Sequence, residues 1–190
     1  MSSASSTDTT TTWNIDPAHS GVHFSVKHLV VATIRGQFDK VSGSITLDTT
    51  DLPRSNVQAT IDAASISTRD AQRDAHLRSA DFLDAERFPT IEFRSTKVAR
   101  SRDGFTVAGD LTIHGVTRPV VLAVEASDAE IKDPYGNLRR AATATARINR
   151  KDFGLTWNVA LETGGVLVGD ELKIEIDVEL VRQVRQAHAA

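Results

Sequence analysis

Gly104-Phe105-Thr106-Val107-Ala108-Gly109-Asp110-Leu111-Thr112-Ile113-His114-Gly115-Val116-Thr117-Arg118-Pro119-Val120-Val121-Leu122-Ala123-Val124 is the stretch whose pattern decides the fold. Phe105, Val107, Gly109, Leu111 and Ile113 alternate with Thr106, Ala108, Asp110, Thr112 and His114. Successive side chains of a strand point to opposite faces, so this period of two gives one apolar face and one wet face. Val120, Leu122, Val124 and Ala126 repeat the pattern after a break at His114-Gly115, where Gly115 supplies the positive φ of a turn. Strands with a single apolar face describe antiparallel sheet.

The same rhythm runs outward along the chain. Leu172, Ile174, Ile176, Val178 and Leu180 alternate with Lys173, Glu175, Asp177 and Glu179, and Val57, Ala59, Ile61 and Ala63 with Gln58, Thr60 and Asp62. Further strands fall at 22–28, 91–99 and 140–148. Over 33–48 the parity changes: Ile34, Gly36 and Phe38 are even, whereas Val41, Gly43, Ile45 and Leu47 are odd. A bulge or tight bend is therefore expected near Asp39-Lys40. Gly104 and Asp133-Pro134-Tyr135-Gly136-Asn137 mark further turns.

One segment departs from the rhythm. From Ser67 to Ser79 the chain is rich in Ala, Gln, Arg and Leu, which predicts a short helix. Ser67 or Thr68 is expected to cap it, with Asp70 at its positive end. An irregular link, 80–89, follows. About eight one-faced strands close naturally into a barrel, which removes the sheet edges; a two-sheet sandwich with the same alternation is the alternative. Gly36, Gly43, Ala59, Ala63, Gly109, Ala142, Ala144 and Ala146 on the apolar faces favour a barrel with an open lumen, because small side chains leave volume that a sandwich would have to fill. A barrel of this size can hold one ligand.

The 190 residues suit one domain: a Ser/Thr-rich tail at 1–11, a β domain at 12–182 and a loose end at 183–190. With no cysteine, disulfides, thiolate metal sites and cysteine nucleophiles are excluded. The net charge of −3 provides no basic field for nucleic acid. No apolar run approaches the roughly 18 residues of a membrane helix. Nothing over Met1–Thr12 has the basic start and apolar core of an export signal, so a cytoplasmic location is expected.

His19, His23 and His28 lie close in sequence, and imidazoles suit zinc or copper. On a strand, however, His23 and His28 face opposite sides, so hydrogen bonding or exposure is expected rather than a metal site. His114 is read as a strand-end residue whose ring hydrogen-bonds the turn. Asp70, Asp74 and His76 could support acid–base chemistry, but no nucleophile motif accompanies them, and charges on a short helix are expected to be solvated. Arg147 is expected to pair with a carboxylate. Arg150 either pairs likewise or anchors an anionic head group at a barrel mouth.

Several motifs together resemble the YceI-like family of polyisoprenoid-binding, lipocalin-like proteins. They are Trp13-Asn14-Ile15-Asp16 with His19, Val22-His23-Phe24-Ser25-Val26-Lys27-His28, Arg35-Gly36-Gln37-Phe38 and Ser79-Ala80-Asp81-Phe82-Leu83-Asp84 running to Phe88-Pro89. Ile91-Glu92-Phe93-Arg94-Ser95, the 111–120 segment and Asn149-Arg150-Lys151-Asp152-Phe153-Gly154-Leu155 complete the series. The resemblance implies an elongated antiparallel barrel, closed at one side by a helical segment, with a long-chain isoprenoid in an apolar tunnel. It implies a non-catalytic carrier of a polyisoprenoid or isoprenoid quinone, with no cofactor or metal, and it suggests pairing into a homodimer. Many relatives begin with an export signal, unlike this sequence. The expected ligand-contacting set is Phe24, Val26, Phe38, Ile45, Phe93, Phe105, Val107, Leu111, Ile113, Phe153, Ile174 and Ile176, with His28 toward the head group. The alternatives are an enzyme acting on a bound lipid through histidine and carboxylates, and a ligand-free interaction module.

Overall fold

The structure is a computed structural model that describes residues 10–29, 31–127, 129–162 and 165–183. The first strands are β1 (Thr10–Ile15), β2 (Gly21–His28), β3 (Ala32–Phe38), β4 (Val41–Asp48), β5 (Asn56–Asp62) and β6 (Ile66–Ser67). Helix α1 (Ala71–Arg78) follows. The chain then forms β7 (Thr90–Ser101), β8 (Gly104–Ile113), β9 (Val116–Ala126), β10 (Ile131–Lys132), β11 (Leu138–Asn149) and β12 (Val168–Arg182).

All described strand pairings are antiparallel. Among the described residues, β11, β9, β8, β7, β5, β4, β1 and β12 form an eight-membered ring. β11 and β12 close it in unbroken register from Arg139↔Val181 to Asn149↔Glu171. Strand β12 is long enough for β2 and β1 to share its other edge in tandem: β2 lies along 168–177 and β1 along 180–182. A leaf of β2, β3 and β6 thus extends the wall at one end.

The parity change near Asp39-Lys40 is the corner at which the chain leaves the leaf for the ring. Phe38 and Val41 are both buried on either side of it, which the switch from even to odd positions requires. The corner is tied down by Asp39 N–H to Ser65 O at 3.2 Å and Asp62 N–H to Lys40 O at 3.1 Å. His114 and Gly115 form the two-residue turn between β8 and β9, with φ of 52° and 72°, the conformation that matches hairpin twist. A side chain at Gly115 would put its Cβ 2.6 Å from the Phe88 ring. The His114 ring packs edge-on against Phe88 with centroids 4.7 Å apart, where a hydrogen bond to the turn was expected.

Two expectations for the helical segment are corrected. Asp70, rather than Ser67 or Thr68, caps α1, its carboxylate accepting the Arg73 N–H at 3.0 Å. Asp74 is buried rather than solvated, and it accepts both the N–H and the hydroxyl of Thr68. Arg78 fastens the helix to the sheet by donating to Ala64 O and Ile66 O, each at 2.7 Å. Thr10 and Thr11, expected in the tail, belong to β1 opposite Asp48 and Leu47. At the other terminus, Gln183 donates its N–H to Thr12 O. The remainder of both expected tails, 1–9 and 184–190, lies outside the described residues.

Arg139, at the start of β11, joins three segments. It bonds Asp16 and Asp133 at 2.7 Å and Glu179 at 2.6 Å. The Arg139 guanidinium, helped by His19, holds the Asp16 carboxyl down at about 2; the same arginine keeps Asp133 below the ordinary carboxylate range. A carboxylate whose pKa is depressed by folding stabilises the fold above its unfolded pKa, and that stability is lost as pH falls through the folded value. The urea-unfolding midpoint should therefore drop as pH is lowered from about 4 toward 2. Arg139→Met should flatten this acid dependence and lower the midpoint at pH 7.

Candidate functional site

The ring is not evenly filled. On the β7–β8 side, Ile91, Phe93, Val107, Leu111 and Ile113 are 5–8% exposed, as in a packed core. On the β9–β11–β12 side, Leu122, Val124, Ala146, Leu172, Ile174, Ile176 and Val178 face inward yet are only partly buried. Ile45, Val57, Ala59 and Ile61 on β4 and β5 are likewise only partly buried. A cavity of about 260 Å³ inside the ring is bordered by all of these side chains except Ala146, including those of β7 and β8. Its wall is overwhelmingly aliphatic and aromatic, and no carboxylate is among its lining side chains.

Two kinds of small residue behave differently here, which corrects the expectation that inward glycines supply the volume. A Cβ at Gly36 would lie 2.3 Å from Phe24 Cζ, and one at Gly109 would lie 2.5 Å from Phe93 Cζ. Phenyl rings occupy the space that a side chain at these glycines would need. Alanines do border the space: Ala142 and Ala144, paired with Val178 and Ile176, line the cavity, as does Ala59. Phe24 also tilts against Phe38, with centroids 5.8 Å apart, so the aromatic side chains sit where the leaf joins the ring.

Of the residues expected to contact a ligand, Phe24, Val26, Phe38, Ile45 and Phe93 line this cavity. Val107, Leu111, Ile113, Ile174 and Ile176 do as well. Three do not. Phe105 has the right parity but stands in the second position of β8, beyond the cavity, with the Arg100 guanidinium 5.3 Å above its ring. Phe153 is 1% exposed within the 150–153 turn and belongs to the filled core. His28 sits at the end of β2 opposite Val168 and Ala32. The lining also contains Leu77, Phe82, Leu83 and Leu155, none of them on a strand, which cover one end of the ring. Period-two reasoning cannot find these; the apolar pair Phe82-Leu83 inside a polar link was the available signal.

Arg150 reaches the cavity wall but is no head-group anchor. It is 2% exposed, and its hydrogens are taken by the protein itself. Nε donates to Gly169 O and Nη1 to Trp157 O, both at 2.9 Å; Nη1 also donates to Leu155 O. Nη2 donates to Val168 O at 3.4 Å and to Asp170 Oδ1 at 3.3 Å. Burial pulls its pKa down, yet a guanidinium keeps its charge in proteins. This hub pins Leu155 over the lumen and fixes the start of β12. Arg147, in contrast, pairs with Glu171 at the surface as expected.

The other polar candidates lie apart from the cavity or at its edge. Asp74 is committed to Thr68. His76 bonds Asp81 at 2.8 Å and stacks edge-on with Phe82 and Trp157. His19 bonds Asp16 at 3.0 Å, and His23 lies 4.0 Å from Asp177. Asp16, His19 and Glu179 converge, but Arg139 already provides the cation for both carboxylates.

Comparison with known proteins agrees with this architecture. The profile of the YceI-like domain matches residues 13–180. A UPF0312 protein of Staphylococcus aureus is 36% identical over 169 residues, covering 89% of this chain and 96% of its own. The crystal structure of Burkholderia cenocepacia BcnA superposes with a TM-score of 0.73 at 24% identity, over 87% of this chain and 98% of its own. A polyisoprenoid binding domain from Saccharophagus degradans superposes with a TM-score of 0.63 at 15% identity, over 90% and 98%.

The two arginines should separate cleanly by mutation. Arg150→Met strands several carbonyls, each costing about 1–3 kcal/mol when left unpaired, so the loss should exceed about 3 kcal/mol. Arg147→Ala removes one exposed pair and should cost less than about 1 kcal/mol. Urea-unfolding midpoints at equal m-values check both.

Proposed function

This chain belongs to the YceI-like family, and from that premise we propose that its barrel takes up a long-chain isoprenoid lipid, a polyisoprenoid or an isoprenoid quinone tail. It carries or sequesters that lipid without chemical change. The observation that carries the reading is the apolar cavity inside the ring, lined by aliphatic and aromatic side chains from its strands. At about 24 cal/mol per Å³, a void of 260 Å³ costs roughly 6 kcal/mol relative to a filled core. A ligand-free interaction module has no use for such a cost. An apolar chain offsets it, since each CH₂ removed from water contributes about 0.8 kcal/mol. The volume lies just below the roughly 300–1,000 Å³ common for ligand pockets, which suits a slender chain. The Saccharophagus degradans domain that shares the fold binds polyisoprenoid by its own description, which supports the choice of lipid. A lipid-acting enzyme is less well supported: the cavity wall offers no carboxylate, and Arg150 is held by backbone carbonyls.

Organic extracts of the purified protein, analysed by mass spectrometry, should contain a long-chain lipid in near-stoichiometric amount, or the protein should take up added polyprenol. Leu111→Asp places a carboxylate against the tail and should weaken polyprenol binding far more than Ile113→Val, a trim worth about 0.5–1.5 kcal/mol. Thr112→Asp, on the outer face where Thr112 meets Thr117, should leave binding nearly unchanged. Each variant is first verified as folded by circular dichroism. A folded Leu111→Asp protein that binds polyprenol like the parent would exclude the lumen as the binding site.

A further inference from the structure

One end of the barrel exposes apolar side chains beside a cluster of positive charge. Leu29 and Val31 flank the tip of the β2–β3 hairpin, 44% and 81% exposed. Val159 and Val166 stand exposed on a neighbouring loop. The two loops are joined: Leu29 N–H donates to Leu167 O, and Leu167 N–H to Val159 O, each at 2.9 Å. One residue pair below the tip, Lys27 faces Thr33. About 7 Å further down, at 3.3 Å per residue, Arg35, Ser25, Lys173 and Arg147 align in a single row across β3, β2, β12 and β11. With Arg69 they line an outer cleft of about 730 Å³. Five basic groups there oppose Glu171 and Glu175, with Glu162 on the second loop, in a chain whose net charge is −3. Among the described residues, no carboxylate lies within ion-pair distance of Arg35, Arg69 or Lys173.

We propose that this end is a docking surface for an anionic lipid bilayer. Leu29, Val31, Val159 and Val166 enter the boundary between head groups and acyl chains, and Lys27, Arg35 and Lys173 meet the lipid phosphates. Apolar side chains at the leading edge, with cations one and two rows behind, match the depth profile of an interfacial anchor. A two-fold pairing of this surface with that of a second copy would set like charges against each other, because the same basic row would stand on both sides. The location also fits the lumen. Val26 and Val168 line the cavity on the same strands that end in these two loops, so a docked barrel presents the end of its cavity to the bilayer. This rests on the lipid-carrier reading and names the partner from which an insoluble ligand would be taken.

The test uses vesicles of phosphatidylcholine alone or mixed with phosphatidylglycerol, separated by flotation. The wild-type chain should float with the mixed vesicles and be released by salt. Val31→Asp should reduce partition at least tenfold. Each basic charge removed should reduce it about fivefold, which corresponds to about 1 kcal/mol per charge, so Arg35→Glu with Lys173→Glu should leave no preference for anionic vesicles. All variants should still take up polyprenol from detergent. Wild-type protein that is folded yet ignores mixed vesicles overturns the proposal, as does binding indifferent to both sets of changes. Binding of inorganic phosphate without vesicle binding also overturns it, by making the cleft a site for a free anion. Vesicle binding without any polyprenol uptake supports the docking surface and sinks the lumen reading instead.

Discussion

The pairing of β11 with β12 is the constraint on which the remaining structure depends. A twisted antiparallel sheet of this length would otherwise expose two edges, and closing it converts those edges into backbone hydrogen bonds and encloses one face completely. Closure also explains why β12 is the longest described strand. It must serve β11 along one edge while β2 and β1 divide the other. Guanidinium groups secure the seam at both ends. Arg139 at the start of β11 holds Glu179 near the end of β12, and Arg150, just past β11, holds the backbone where β12 begins. The two are energetically unlike. Arg139 works through partly exposed carboxylates that water also screens, whereas Arg150 is buried and bonds mainly backbone carbonyls, one of which, Val168 O, it shares with Asn158.

Inside the closed ring the sequence divides the space between filling and hollowness by residue size. Phenyl rings over Gly36 and Gly109 allow close packing where the leaf and β7–β8 meet the core. Opposite them, Ala142 and Ala144 on β11 cannot reach across the lumen. A protein selected only for stability would gain by enlarging those alanines, because packed interiors leave few voids larger than a water molecule. The cavity is thus a feature of sequence pattern as well as of backbone shape.

That pattern made the fold readable. Alternation over 104–124 and 172–180 is regular enough to specify strands, faces and, with their number, closure. It also located the corner at Asp39-Lys40, where the parity of buried positions switches. Depth along a strand was beyond its reach: Phe105 and Val107 share a face, yet one lies outside the cavity and the other lines it. Long-range polar partners were equally hidden. Nothing local to Asp74 announces Thr68 as its partner, and the carbonyls around Arg150 come from residues up to 19 positions away. Capping failed for a related reason. Thr68 has the right chemistry for a cap, but Asp74 claims its hydroxyl, and the helix begins after Asp70 instead.

The two ends of the ring differ in what it would take to open them. At one end Trp13, 1% exposed, lies between β4 and β12 within the ladder, with the guanidiniums of Arg140 and Arg182 5.1 and 5.9 Å from its ring. Moving it would break strand pairing. At the other end the cover consists of Leu77, Phe82, Leu83 and Leu155, contributed by α1 and two connecting segments rather than by the ring. These pieces are held by side-chain bonds such as Arg78 to Ala64 O and Arg150 to Trp157 O. Segments outside a ladder open at a lower free energy than the ladder itself. The cover under the helix is therefore the part of the wall that costs least to displace, and β11 and β12 can stay paired while it moves.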